Sequence, residues 1–372
     1  MPILTALKSL TDTRRTQSVV YEMHEIVFVA LLAVLSGANS YRRIYLYINE
    51  KQSFLEEAFD IKWKKPPAYT TIRNVLLAVD EEELKQVMRE HVKDYLDSVR
   101  LTDIWIAIDG KSIRRSFDNI KDKQAAHMLN VFVTTHNLIV AQQDVRGEKT
   151  NEIPIAQQLV EEILPEFKQN TVCTLDALHT QALTMDKIIE SGSHFVMQVK
   201  ANQPKLLKVC QQRSKIRKTY TKVAEKDKQH GRIEHRITTV YQGAAAYDKH
   251  PMLKHVKVII HVRRIRSVFN TSTKQYERGV EDSYYVSSKE LDASTAAKLI
   301  RGHWSIENSL HNVLDNAFGE DMSRIRVKPA IFSLLRNISL NVLRMNGVEN
   351  ISAQLFKNAV NTDNLLNLKY LY

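Results

Sequence analysis

Residues Ile104–Gly110 read IWIAIDG, and residues Thr171–Asp176 read TVCTLD. Each is a short apolar run closed by an aspartate, the pattern of a buried strand that delivers one acid to a sheet edge. A carboxylate in that position is costly unless something pairs with it. If both strands are central and adjacent, Asp109 and Asp176 emerge side by side, and two like charges that close invite a divalent cation. Alone, either aspartate could equally be a turn residue or a helix cap.

Outward from these runs, Met128–Thr134 and Leu138–Val145 are further strand candidates, joined at His136-Asn137 as a hairpin. Asn151–Leu164 has helical spacing behind an Asn cap, a helix is expected from about Thr180 to Ser191, and His194–Val199 is a fifth strand. Strand-like sequence then alternates through 200–290, including Arg232–Tyr241, His255–Ser267 and Asp282–Ser287. Ser294–Phe318 and Pro329–Met345 are expected to be long helices. Three antiparallel strands that pass by helical crossovers to parallel ones give a mixed sheet with helices on both faces. That is the strand order of an RNase H-like fold, here with a β-rich insertion before the last catalytic helix.

Before residue 95 the chain reads as helices: the apolar run 26–35, then Tyr41–Ile48, then Glu82–Leu96. Lys64-Lys65-Pro66-Pro67 breaks the pattern, and a new helix starts near Ala68–Arg73. The expected organisation is α/β. An all-helical N-terminal domain fills 1–98, and a catalytic core is begun by 99–199 and completed by 291–346. A basic β-rich insertion occupies 200–290, and 347–372 form a C-terminal tail.

The chain carries a formal charge of +11, which points to a polyanionic partner or an anionic membrane surface. Residues 200–280 hold 20 Lys and Arg against 5 Asp and Glu, so the rest of the chain is slightly acidic. Because the bases interleave with strand-like sequence, they ride on an ordered surface of the kind that suits phosphate backbones. Arg263, Arg264 and Arg266 belong to this surface and are expected to clamp backbone without reading bases. Val27–Ala38 looks like a signal-peptide core, but Glu22 and Glu25 precede it and it is too short to span a bilayer. It is read as a buried helix of a cytoplasmic protein without a membrane partner. Cys173 and Cys210 share no close spacing, which excludes a disulfide framework or zinc finger and fits a reducing compartment.

A third acid has to come from a helix packed beside the sheet. In Arg301–Asp315 (RGHWSIENSLHNVLD), His303, Glu307, His311 and Asp315 recur every four residues and so share one helical face. Two histidines around a glutamate suggest zinc, but no HExxH and no nearby cysteine support it. Such a polar stripe could also simply face solvent.

Five segments together resemble the signature blocks of one family. They are Ala107–Ser116 (AIDGKSIRRS), Gly147–Ile153 (GEKTNEI), Thr174–Gln181 (TLDALHTQ), Val199–Gln203 (VKANQ) and His303–Arg326 (HWSIENSLHNVLDNAFGEDMSRIR). These blocks, in this order, resemble the H-repeat-associated insertion-sequence transposases of bacteria, a branch of the DDE superfamily. The resemblance implies that Asp109, Asp176 and Glu307 are the catalytic triad and hold two Mg²⁺ ions, with Mn²⁺ able to substitute. It implies hydrolytic cleavage of double-stranded DNA at the element ends, then attack of the freed 3′-hydroxyl on target DNA, by a protein expected to be a homodimer on DNA. Around the helix glutamate the wider group places a Tyr, an Arg and a Lys, where this chain has Ile300, His303 and Leu314. The rival functions are an RNase H-like nuclease that cuts without joining, and a non-catalytic DNA-binding descendant.

Several neighbours carry weaker expectations. Lys111, Arg114 and Arg115 could hold phosphates near the metals or be ordinary surface charge. Lys200, Asn202 and Gln203 follow the fifth strand at the same sheet edge, where they could touch DNA. Trp304 could stack on an unpaired base or pack into the core. Thr70, Thr71 and Arg73 could read DNA as a helix-turn-helix does, with an interaction role for these helices as the rival.

Overall fold

The computed structural model describes residues 1–15, 17, 19–99, 103–113, 125–145, 152–167, 170–215, 219–229, 232–242 and 251–372. Helices α1 (Ile3–Leu7), α2 (Met23–Leu35), α3 (Tyr41–Glu50), α4 (Gln52–Phe59), α5 (Tyr69–Ala78) and α6 (Glu81–Ser98) come first. Strands β1 (Trp105–Ser112), β2 (His127–Val133) and β3 (Leu138–Asp144) follow, then α7 (Glu152–Ile163), β4 (Val172–Leu175), α8 (Ala182–Glu190) and β5 (His194–Val199). Helix α9 (Pro204–Lys215) leads into β6 (Thr221–Gln229), β7 (Arg232–Gln242), β8 (Val258–Asn270) and β9 (Gln275–Ser287). The chain ends with α10 (Ala293–Ser305), a π-helical segment Ile306–His311, α11 (Asn312–Asn316), α12 (Pro329–Met345) and α13 (Ile351–Val360). A helical N-terminal region and a mixed β-sheet are thus both present.

The chain divides into two compact units: Met1–Leu101 with Gly110–Glu152 and Ile306–Tyr372, and Thr102–Asp109 with Ile153–Ser305. In the first, α2 is apolar on every side, and each residue from Ile26 to Leu35 is buried. A helix of that kind is stable only when enclosed, here by α1, α3, α5 and α12. The hairpin β2–β3 is antiparallel with a bulge at Val131/Phe132, and its β3 side is covered by α6 and α12. Asn341 of α12 serves that strand directly: Ile139 N–H donates to its Oδ1 (2.9 Å) and its Nδ2 donates back to the Ile139 carbonyl (2.8 Å). The expected tail is part of this body. Backbone N–H groups of Ile3 and Leu4 donate to the carbonyls of Tyr370 and Leu371, and Asn358 Nδ2 donates to the Leu35 carbonyl that ends α2.

In the second unit the strands run β1-β4-β5-β9-β8-β7-β6. β1, β4 and β5 are parallel, and from β9 onward the pairing is antiparallel. The basic β-rich stretch is therefore not set apart from the core sheet: β9 closes the open edge of β5, and β8, β7 and β6 extend it. The stretch also contains a helix, α9, that the strand-like sequence did not suggest. Helix α10 lies across the strands, packing Ala296, Leu299 and Ile300 on Val172, Val240 and Ile260.

β1 itself runs on to Ser112, past Asp109 and Gly110, so Asp109 lies within the strand and is not a turn residue. The glycine has a different purpose: a Cβ at Gly110 would lie 2.5 Å from His127 Nε2 and 3.0 Å from Glu152 Oε1. It lets two side chains press on the strand backbone. The helix expected over Ser294–Phe318 is likewise interrupted, by the π segment.

Candidate active site

Strands β1 and β4 pair in register with Ile108 opposite Leu175. The next residues are Asp109 and Asp176, so parallel pairing brings the two acids to the same end of two strands that run about 4.8 Å apart. Both are partly exposed. Asp176 also caps the short 3-10 turn after β4: its Oδ1 accepts from Leu178 N–H at 2.9 Å. The cap and the site readings are compatible, because a carboxylate has lone pairs on both oxygens.

Behind Asp176, Thr174 Oγ1 donates to the Ile106 carbonyl at 3.1 Å and lies 3.1 Å from His303 Nδ1. With the hydroxyl proton committed to the carbonyl, Nδ1–H of His303 is the donor and Nε2 is left as an acceptor. Burial pushes the His303 pKa down to about 4, with the nearby Asp176 charge only partly opposing it. The ring is neutral at pH 7 and serves as a strut from α10 to β4.

The turn after β5 is tied to the turn after β4. Asn202 Nδ2 donates to the Ala177 carbonyl (2.6 Å), and Gln203 Nε2 donates to that of Thr180 (2.9 Å). These two residues, which could touch DNA, are held by the backbone that presents Asp176. Lys200 remains exposed and lines a cavity of about 350 Å³ with Trp304, Arg236, Arg264 and Tyr284. Trp304 is 43% exposed, which removes the core-packing alternative.

Glu307 lies in the other unit, on the π segment, and is exposed. A π turn inserts an extra residue and often marks functional sites. It also breaks the four-residue repeat, so His303, Glu307, His311 and Asp315 do not form the single face that the spacing suggested. Two cations hold the segment: the part-buried Arg344 donates to the Ser309 carbonyl, and the buried Lys111 Nζ donates to that of His311 at 3.2 Å. Burial depresses the Arg344 pKa to about 9.

Lys111 corrects an expectation. Only 8% exposed, it is 2.5 Å from Asp315 Oδ1 and 2.8 Å from Glu320 Oε2, so its charge is taken up inside the fold. Glu320 is buried as well, and burial pushes its pKa up, but Lys111, Arg336 and the Ser333 hydroxyl together hold it below the usual value. Arg114 and Arg115 lie outside the described residues. His127 is the neighbour that sequence reading missed. It sits between Ser112 Oγ (2.9 Å from Nδ1) and Glu152 Oε2 (3.4 Å from Nε2), against the backbone one residue beyond Asp109. A glycine inside a strand is the signal that could have pointed there.

In the basic stretch, strand alternation puts Arg263 on one face of β8 and Arg264 and Arg266 on the other. Arg263 makes a two-pronged pair with Asp282 (both 2.9 Å), and Arg264 pairs with Glu234 at 2.8 Å. The three are not one cationic row. Among the described residues no group of three or more His, Cys, Asp or Glu side chains is gathered closely enough to hold a metal ion. No described helix is long and apolar enough to cross a membrane.

Known proteins share this chain's plan. The family model "DDE_Tnp_1-associated" matches residues 4–92, and "Transposase DDE domain" matches residues 101–342. "Putative transposase YncI" of Escherichia coli O157:H7 is 30% identical over 353 residues, covering 92% of this chain and 87% of that protein. "H repeat-associated putative transposase YhhI" of Escherichia coli K12 is 29% identical over 341 residues, covering 90% and 88%. With the transposase DDE model over most of its length and likeness to such relatives over about nine tenths of it, the chain belongs to the H-repeat-associated transposases of the DDE superfamily.

Proposed function

We propose that the chain is a DNA transposase of RNase H-like design, in which Asp109, Asp176 and Glu307 hold the catalytic metals at the phosphodiester to be cut. The observation that carries this reading is the register of β1 on β4, which makes Asp109 and Asp176 neighbours. The donor set fits the implied group: paired carboxylates are hard oxygen ligands, and a divalent cation relieves their repulsion. When bound, two Mg²⁺ ions supply an activated attacking oxygen and charge neutralisation at the leaving one. The protein's own residues do the positioning. Thr174 and His303 fix the end of β4, and Asn202 and Gln203 fix the turn that Asp176 caps. Lys200 offers a cation to the DNA backbone, and Trp304 an exposed ring for an unpaired base. Working on double-stranded DNA in the cytoplasm, the protein acts as a homodimer.

The test is incubation of purified protein with its element's ends and Mg²⁺, with products mapped at nucleotide resolution. Free 3′-hydroxyl ends and their joining to a plasmid are expected, whereas cutting without joining would assign a nuclease. Asp109→Asn, Asp176→Asn and Glu307→Gln should each lower cleavage by more than the roughly 100-fold typical of a metal's outer partners. Mobility-shift affinity should stay near wild type. A variant that still nicks the ends at wild-type rate removes that residue from the triad.

A further inference from the structure

In the unit that carries the N-terminal helices, a cavity of about 490 Å³ opens between the starts of α3 and α5 and the segment Gly319–Val327. Arg42, Arg73, Arg324 and Arg326 line it, and among the described residues no acidic side chain does. Among the described residues none of these four guanidinium groups has an ion-pair partner, in contrast to the buried Lys111 and Arg336 of the same unit. Four cations gathered without a carboxylate repel one another, and an anion relieves that repulsion.

Other features of the lining also donate rather than accept. Tyr41 is buried, and among the described residues its hydroxyl has no hydrogen-bond partner. Burial pushes its pKa up to about 12, so the hydroxyl keeps its proton as a donor. Helix α5 starts at the rim without a side-chain cap, which leaves first-turn N–H groups open. Gly319 takes a left-handed φ of 64°, and Asn39 Nδ2 would be only 3.3 Å from a Cβ there. That close approach draws the arginine-bearing segment onto the start of α3.

We propose that this arginine-lined pocket is a DNA-backbone site outside the carboxylate triad, receiving successive phosphodiesters of the duplex. The cavity of about 490 Å³ is far larger than a lone phosphate needs, and its four cations come from α3, α5 and Gly319–Val327, so that different walls can meet successive phosphates. The proposal rests on the reading that the protein acts on DNA. It gives the helical N-terminal region a share in DNA binding although its own charge is near neutral, because two of the four arginines come from Gly319–Val327, outside it.

The test uses the full-length protein carrying Arg42→Gln, Arg73→Gln, Arg324→Gln and Arg326→Gln together. Binding to labelled duplexes, cognate and scrambled, is titrated at several salt concentrations. For every phosphate that is no longer neutralised, the slope of log K against log salt should fall by about 0.9, and affinity at low salt should drop at least about tenfold on both duplexes. Arg324→Gln with Arg326→Gln, both at exposed positions, is the second variant; it should show about half of the slope change with an unaltered melting curve. Replacement of all four by lysine should restore most of the slope. If the wild type binds DNA and the glutamine variants match it in affinity and slope, the pocket proposal is overturned while the transposase reading stands. Weakening confined to the cognate duplex would also overturn it, since phosphate binding carries no sequence preference. If the wild type binds no DNA at any salt concentration, the transposase reading fails first.

Discussion

Lys111 shows how far a single residue's meaning depends on its surroundings. It follows Asp109 by two positions in a run of bases, yet its ammonium is buried between Asp315 and Glu320. Removing one partner of a buried pair leaves an uncompensated charge, which costs about 3–5 kcal/mol. Lys111→Met should therefore destabilise the protein by that order in urea unfolding at pH 7. An unchanged midpoint would mean that the side chain is free for DNA after all. Two histidines of the same unit supply a pH test. Burial pushes both His91 and His311 down to about 4 from the ordinary value of 6.5. Between pH 6.5 and 4 the unfolded chain takes up their protons while the folded chain does not, so stability falls with pH across that window and levels off below it. The expected loss is about 1–3 kcal/mol for each ring. Denaturation curves at pH 7 and pH 4.5 should show it, and His91→Gln should recover part of it; identical curves would place these rings in contact with water.

At the level of elements, the strands and the interrupted helix carry most of the correction. Along β8 the side chains alternate between faces, so adjacent arginines cannot act as one clamp. Arg263 is held by Asp282 and Arg264 by Glu234, whereas Arg266 has no ion pair among the described residues. Arg266→Gln alone should lower the salt slope of DNA binding by about one unit, and Arg263→Gln should leave it nearly unchanged. Equal changes for both would show that the Arg263–Asp282 pair opens on DNA. The π segment has its own logic. Its wide turn frees backbone carbonyls, and Lys111 and Arg344 supply donors to two of them beside Glu307.

For the whole molecule, the two ends of the chain matter to the helical unit. Leu365 and Leu371 are fully buried, and the backbone of Ile3 and Leu4 pairs with that of Tyr370 and Leu371. Deleting 347–372 should expose the apolar surface these residues cover, at about 1.5–3 kcal/mol for each buried leucine or isoleucine. The truncated protein should melt well below the intact chain, in a broad transition followed by far-UV circular dichroism. A truncation that melts like the full chain would make the segment a dispensable tail. The basic excess of residues 200–280 is likewise a property of the whole sheet, since β9 joins that stretch to β5 without a break.

What the sequence determined by itself was set by local rules. Apolar runs with punctuation located β1, β4 and β5, and an unbroken apolar run located α2; helical spacing located α6 and α7; and five short blocks in order identified the family. The aspartates at the ends of IWIAID and TVCTLD were legible because an acid there is expensive wherever the strand is buried. Tertiary structure decided what depends on residues far apart in the chain. The pairing of β1 with β4 made neighbours of Asp109 and Asp176, and burial beside Asp315 and Glu320 turned Lys111 from a surface cation into an internal one. The folding of Gly319–Val327 onto α3 and α5 gathered four arginines that occupy three separate stretches of sequence. Charge and periodicity are properties of a segment, but desolvation and ion pairing are properties of whatever packs against it, and no short stretch of sequence contains that information.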